Sequence, residues 1–252
     1  MSEKQLNIYK PLGKTAYEMI EILRAKQPQY ANLKLSYAGR LDPMAHGVLI
    51  LLVGEDENKS RRNREKSDKV YEFTCIFGIK SDTFDICGLP TIQGHTPTLE
   101  QIEKALPHFT GKIMQKIPIY SAYRVRGKPM YVLASQGKLK DEDVPTIERE
   151  VFKIEILDNY ILKAPELFGE IKKRLDLITK SDFRQVEILK RYKELLESQN
   201  FLCVKMRAHV SAGTYIRSLC NDLGEYLGTN AISMEILRTR SGEFNLKDSI
   251  TI

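Results

Sequence analysis

The chain lacks the features that would place it in a membrane, a disulfide scaffold or a metal cluster. No apolar run approaches the roughly 18 residues that a membrane-spanning helix needs. The stretch from Met1 to Lys10 is polar where a secretory signal would be apolar. Four cysteines occur, Cys75, Cys87, Cys203 and Cys220, with no CxxC pair. That argues against a structural zinc site or a disulfide scaffold and fits a reducing, cytoplasmic compartment. There is no Gly-rich phosphate loop, no internal repeat and no Gly/Ser linker to divide the chain. The histidines, His46, His95, His108 and His209, have no metal-ligand spacing and read as solvated or structural.

What remains is the composition of a folded protein. The 252 residues suit one large domain or two small ones. A hydrophobic share of 42% beside 29% charged residues excludes a disordered chain and supplies a core. Lys and Arg number 39 against 33 Asp and Glu, a net +6 that permits a polyanionic partner without demanding one.

Periodicity and capping signals place several elements. Thr15 caps a helix over Ala16 to Lys26, with Tyr17, Ile20 and Leu23/Arg24 at helical spacing. Gly47 to Val53 is short and apolar, and reads equally as a buried strand or a helix segment. Glu55 to Lys69 is charged and loop-like, a solvated loop or helix face. Val70 to Gly78 reads as a strand. Thr98 to Gln101 form a capping box opening a helix that runs to about Phe109. Val151 to Leu162 and Phe201 to Val210 alternate as strands, and Ser181-Asp182 cap a charged helix reaching about Ser198. Tyr215 to Leu227 puts Ile216, Leu219, Cys220, Leu223 and Leu227 on one helical face, with Gly228 as the residue past its end. Strands and helices mix without a regular βαβ beat, which predicts an α+β fold with a mixed, largely antiparallel central sheet flanked by helices.

One segment carries chemistry: residues 37–49, Tyr-Ala-Gly-Arg-Leu-Asp-Pro-Met-Ala-His-Gly-Val-Leu. Glycines and an apolar run hold Asp42 on a rigid loop beside the core, where a carboxylate can act as nucleophile or as acid/base. An aspartate before a proline is also an ordinary turn residue. Four further segments follow in order: Lys69-Val70-Tyr71, Ser81 to Gly88, Gln115 to Ala122 with Arg124, Arg126, Lys128 and Tyr131 after it, and Ser211 to Leu219 with Asp222 to Gly224.

Together these resemble the TruB family of pseudouridine synthases, from about Lys10-Pro11-Leu12-Gly13 to Leu237–Phe244. The resemblance implies a pseudouridine synthase fold and an isomerase that converts a uridine of the tRNA T-loop, at the position-55 type of site, without metal or organic cofactor. It implies that Asp42 attacks the target nucleotide. It implies that Tyr71 stacks on the flipped uracil and is a candidate for the later proton removal, and that Arg217 pairs with the catalytic carboxylate. Tyr215 matches a residue lining the pocket, and Lys10-Pro11 a motif supporting it. The substrate-binding set completes with Tyr37, Arg40, Asp85, Arg124, Arg126 and Lys128. The physics agrees: a guanidinium lowers a carboxylate pKa and orients it through a forked hydrogen bond, and a base inside a duplex-like arm must be extruded to react. RNA affinity is expected from phosphate contacts at Lys59 to Lys69 and at Arg124 to Lys140, where Tyr123 and Tyr131 interleave.

The chain departs from the family in three places. Tyr37 stands where the usual Gly-His-x-Gly-x-Leu-Asp pattern has histidine; an aromatic there can still stack on a base. With the sequence ending at Ile252, only eight residues after Phe244, the PUA domain common in the family is not expected. Lys163 to Asn200 is longer and more charged than usual, and is expected to be one or two helices at the edge of the sheet. The expected organisation is therefore a single catalytic domain over 1–252, with a thumb-like insertion at about 123–145 and a helical excursion at about 163–200. It is expected to act as a monomer on the tRNA T-arm stem-loop, with no membrane and no obligate protein partner. The competing readings are a non-catalytic RNA-binding or tRNA-folding chaperone, a synthase for another RNA stem-loop, and a guide-dependent synthase in a larger complex.

Overall fold

The computed structural model describes residues 4–179 and 183–252, and in its helices it leaves out the side chains of residues 60, 62–64 and 141. β1 (Gln5–Lys10) leads to α1 (Ala16–Lys26). Thr15 and Glu18 cap α1 reciprocally: the Glu18 N–H donates to Thr15 Oγ1 at 3.1 Å and the Thr15 N–H to Glu18 Oε2 at 2.8 Å. β2 (Leu35–Ala38) then pairs with β3 (Ala45–Val53). The apolar run that sequence left open is thus a strand. Val48, Ile50 and Leu52 face one cluster, and Leu49, Leu51 and Val53 another. A strand covered on both faces has no polar alternation to show.

Glu55 to Glu65, expected as a loop or solvated helix face, is a helix, α2 (Glu55–Glu65). It has no apolar stripe to betray it. Glu55, Asp56 and Glu57 fill its first turn, at the positive end of the helix dipole. β4 (Lys69–Phe77) follows, then the hairpin of β5 (Ile79–Ser81) and β6 (Pro90–Ile92). α3 (Leu99–Ala105) starts at the Thr98–Gln101 capping box and runs on as a 3-10 turn to Phe109. After β7 (Gly111–Lys116), the segment expected as a thumb holds the short pair β8 (Arg124–Val125) and β9 (Lys128–Pro129) and the helix α4 (Met130–Ser135). β10 (Thr146–Lys163), α5 (Ala164–Leu175), α6 (Gln185–Leu195), β11 (Asn200–Val210), α7 (Ile216–Tyr226), β12 (Ala231–Ser241) and β13 (Phe244–Asn245) complete the chain. The Ser181-Asp182 cap expected for α6 lies outside the described residues.

Among the described residues the sheet has nine strands, in the order β1-β3-β12-β4-β11-β10-β7, with β2 on β3 and β13 on β12. Only the β3–β12 pairing is parallel; the others are antiparallel. The central strands bury both faces. On one side Phe73, Cys75, Phe77, Val204, Met206 and Ala208 pack on Leu219 and Leu223 of α7 and Ile102 of α3. On the other, Ile76, Cys203, Ile232 and Met234 pack on Leu167 and Ile171 of α5 and Ile188 and Tyr192 of α6. The excursion expected at the sheet edge therefore covers the second face of its centre. Without α5 and α6 that apolar face would lie in water.

Cys75 of β4 and Cys220 of α7 form a disulfide in the first of these clusters, with Cα atoms 5.8 Å apart. The cysteine spacing gave no sign of it. The two residues are 145 positions apart, and only the packing of α7 on β4 joins them.

Gly47 marks the tightest joint between β3 and β12. Its φ is +103°, and a Cβ there would stand 2.3 Å from the Arg238 carbonyl oxygen. Gly47→Ala is expected to destabilise the chain by about 3 kcal/mol, read from urea unfolding; an unchanged midpoint would contradict this packing.

Candidate active site

Asp42 lies in the turn between β2 and β3. Its neighbours anchor it on opposite sides of the sheet: Leu41 and Ala45 enter the cluster under α7, and Met44 the cluster under α5 and α6. The Ala45 N–H donates to the Asp42 carbonyl at 3.0 Å, closing the turn. The carboxylate is left about one-third exposed, at 34%.

Arg217 is the second residue of α7 and is 4% exposed. Its Nε lies 2.8 Å from Asp42 Oδ2 and 3.7 Å from Asp85 Oδ2. The forked hydrogen bond to Asp42 expected from sequence is not formed. Both arms of the fork go to main chain instead: Nη1 donates to the Thr83 carbonyl at 2.7 Å and Nη2 to the Tyr120 carbonyl at 3.2 Å. The Nε–H is not aligned on an acceptor, so Asp42 is held by charge and proximity. Burial opposes the charge on Arg217, yet Asp42 and then Asp85 keep its pKa above the ordinary value. Burial pushes the Asp85 carboxyl up, against the pull of Arg217. Asp85 Oδ1 accepts from the Thr83 hydroxyl at 2.5 Å and the Cys87 N–H at 2.9 Å.

Tyr215 caps α7 just before Arg217, and Gln115 fixes it at two points. The Gln115 amide donates to the Tyr215 carbonyl at 3.0 Å, and its oxygen accepts the Tyr215 N–H at 2.8 Å. Burial, and next the Asp42 charge, raise the Tyr215 phenol pKa.

A cleft of about 700 Å³ opens over Asp42. Tyr71, Tyr215, Tyr37, Arg40, Arg124 and Arg217 all line it. Arg40 Nη2 donates to the Tyr37 hydroxyl at 3.0 Å. The guanidinium carbons of Arg40 and Arg61 stand over the Tyr37 ring, 5.9 and 5.1 Å from its centroid.

Four residues expected at the substrate lie elsewhere. Lys10 is fully buried and does not line the cleft. Its amine donates to the carbonyls of Lys14 at 2.5 Å and Pro11 at 3.1 Å, so it shapes the loop before α1. Burial lowers its pKa to about 7, against the pull of Asp42. Asp85 is buried beside Arg217 and meets the cleft only through that side chain. Arg126 pairs with Asp143, and neither it nor Lys128 lines the cleft.

Two residues given no role by sequence reasoning, Arg238 and Gln115, matter here, and Lys69, expected only as one of the phosphate contacts between Lys59 and Lys69, does too. Arg238 lines the cleft and is 1% exposed; its Nε donates to the Val48 carbonyl at 2.7 Å and Nη2 to the Gly39 carbonyl at 3.0 Å. Lys69 lines it too, its amine donating to the carbonyls of Glu65, at 2.7 Å, and Ser67. Lys69 carried a readable signal, since it is in phase with Tyr71 and Phe73 on the inward side of its strand. Among the described residues no group of three or more His, Cys, Asp or Glu side chains is placed to hold a metal ion. No helix among them is long and apolar enough to cross a membrane.

The sequence profile of the TruB family pseudouridylate synthases, N-terminal domain, matches residues 26–167. The chain belongs to this family. A tRNA pseudouridine synthase B of Protochlamydia amoebophila (strain UWE25) is 34% identical over 246 residues, covering 97% of this chain and 76% of the relative. Another, of Acaryochloris marina (strain MBIC 11017), is 34% identical over 249 residues, covering 98% and 71%. In fold, the TruB chain is similar to one in a crystal structure of a Cbf5–Nop10–Gar1 complex, with a TM-score of 0.60 at 23% identity. It is similar also to one in an H/ACA RNP bound to a substrate RNA containing 2′-deoxyuridine, with a TM-score of 0.56 at 22% identity. The match covers 98% of this chain and about half of each of those, 52% and 50%.

The buried Lys69 gives the TruB cleft a measurable pH signature. Burial, and then Arg238, lower its pKa from 10.5 to about 8. Above about pH 8 the unfolded chain binds the proton that the folded chain has lost, so stability rises with pH until about 10.5. Relative to Lys69→Met, the parent is expected to gain on the order of 1 kcal/mol per pH unit between about pH 8 and 10, read from urea unfolding at each pH. A difference independent of pH would remove the buried amine as its source.

Proposed function

We propose that this chain isomerises a uridine in the T-loop of tRNA to pseudouridine, with Asp42 as the nucleophile. The observation that carries the reading is a half-buried carboxylate at the floor of a basic cleft, set against a guanidinium that is itself locked to main chain. A nucleophile needs a fixed, accessible carboxylate, and Arg217 sets its Nε 2.8 Å from Asp42 Oδ2 while leaving that carboxylate about one-third exposed. In the reaction the glycosidic C–N bond breaks and a C–C bond forms within the same bound nucleotide. The bond formed by Asp42 is released again, the carbon that joins the ribose loses its proton, and the ring nitrogen freed from the ribose ends carrying one, so the product is an isomer of the substrate. Tyr71 lines the cleft beside Asp42, 8% exposed, as a surface for the extruded uracil and a candidate for that proton step.

Arg40, Arg61, Lys69, Arg124 and Arg238 surround the same opening, which supports a phosphate-rich partner. The names of the curated relatives support tRNA as that partner. The segment at 123–145 supplies Tyr123, Arg124 and Tyr131 to the rim, a thumb against the RNA. The chain works as a monomer, and 1–252 is one catalytic domain with α5 and α6 as its helical excursion. Tyr37 already lies under two guanidiniums. It therefore presents a cation-backed ring to the RNA where a histidine is usual.

The test is pseudouridine mapping on an unmodified tRNA transcript. The parent is expected to modify one T-loop uridine and Asp42→Ala none. Equal modification by both would remove Asp42 as nucleophile, and RNA binding without modification by the parent would favour the chaperone reading. Arg217→Ala is expected to lower turnover by roughly 100-fold or more with little change in RNA affinity; weakened binding with full turnover at saturating RNA would contradict its role.

A further inference from the structure

The two carbonyls that hold Arg217 belong to Thr83 and Tyr120, and one remote side chain reaches both of their segments. Arg184, just ahead of α6, sets its Nη2 2.9 Å from Asp82 Oδ2. Its guanidinium carbon stands 5.0 Å from the centroid of the Tyr120 ring. Asp82 directly precedes Thr83, and Tyr120 supplies both the ring under Arg184 and the carbonyl on Arg217. The other Asp82 oxygen accepts the Leu89 N–H at 2.8 Å, so the carboxylate is fixed from both sides. Arg184 thus ties the loop before β6 to the segment after β7.

The backbone at Arg184 points the same way. Its φ and ψ are +63° and +28°, the left-handed region, where a residue with a Cβ is strained and glycine is not. An arginine there delivers a side chain that glycine lacks, at a cost to the local chain. Ile188 and Tyr192 bury α6 against the sheet, which seats Arg184 over its two partners.

We propose that Arg184 is a positioning residue for the Asp42–Arg217 pair. It holds Thr83 and Tyr120 at the separation that lets both carbonyls accept from Arg217, and so sets Arg217 Nε against Asp42. The helical excursion then serves the reaction from behind the cleft and touches no RNA at this point. The kinetic side of this inference rests on the isomerase reading above.

Arg184→Gly separates positioning from folding, because it relaxes the strained backbone while removing the guanidinium. In the full chain its melting temperature is expected to equal or exceed the parent's. Its kcat on an unmodified tRNA transcript is expected to fall about 10- to 100-fold, with KM and RNA affinity unchanged. Asp82→Asn is expected to lower kcat similarly, and the double variant no further than either single one. Arg184→Lys, which keeps the charge but not the planar face, is expected to recover part of the loss. Independently of turnover, the nitrogen-15 resonance of Arg217 Nε is expected to shift or broaden in Arg184→Gly. Parent kcat with an unmoved Arg217 signal, or a kcat loss that tracks a fall in melting temperature, would overturn the proposal. Should the parent form no pseudouridine, the isomerase reading fails, and the Arg217 signal alone still decides the role of Arg184.

Discussion

The site depends on keeping one arginine charged inside the protein. Arg217 is almost wholly removed from water, and an isolated cation there would be unstable. Two carboxylates and two main-chain carbonyls compensate it. Those four groups come from the turn after β2, the loop after β5 and the segment after β7. The arginine itself comes from the start of α7. A single desolvated charge therefore draws together parts of the chain that share no sheet pairing. Asp42 is the only one of the four compensating groups that also faces the cleft.

That arrangement divides labour between the charges. The fork of Arg217 is spent on carbonyls, which fix the guanidinium whatever occupies the cleft. Its Nε side faces Asp42, whose carboxylate stays partly exposed and unencumbered by a two-point clamp. A nucleophile held by charge alone can shift toward a substrate more readily than one held by two aligned hydrogen bonds. Around it, Arg238 and Lys69 are likewise tied to main-chain carbonyls. The cleft's positive field is thereby built from preorganised groups, which need no rearrangement when an anion arrives.

The two sides of the sheet serve different purposes. The face under α7 and α3 carries the residues adjoining the reaction, Leu41, Tyr71 and Ile216 among them. The face under α5 and α6 holds the excursion that made this sequence longer than expected between β10 and β11. Met44 joins the second face while Leu41 joins the first, so the turn bearing Asp42 is pinned through the sheet from both sides.

By itself the sequence determined most of the elements and the candidate chemistry. The Thr15 and Thr98 capping boxes, the helix through Arg217 and the Asp42 turn are local patterns, written in neighbouring residues and readable without a partner. It left α2 open between a solvated loop and a helix face, because a segment with no apolar stripe has no periodicity to read, and left 47–53, buried on both faces, open between strand and helix. The tertiary structure decided the rest. It withdrew Lys10, Asp85, Arg126 and Lys128 from the cleft and brought Arg238, Lys69 and Gln115 to bear on it. It bridged Cys75 to Cys220 and turned the fork of Arg217 away from Asp42. Each of these depends on which distant segment lies within a few ångströms. Burial and hydrogen-bond satisfaction choose that neighbour, and neither is a property of a residue's place in the chain.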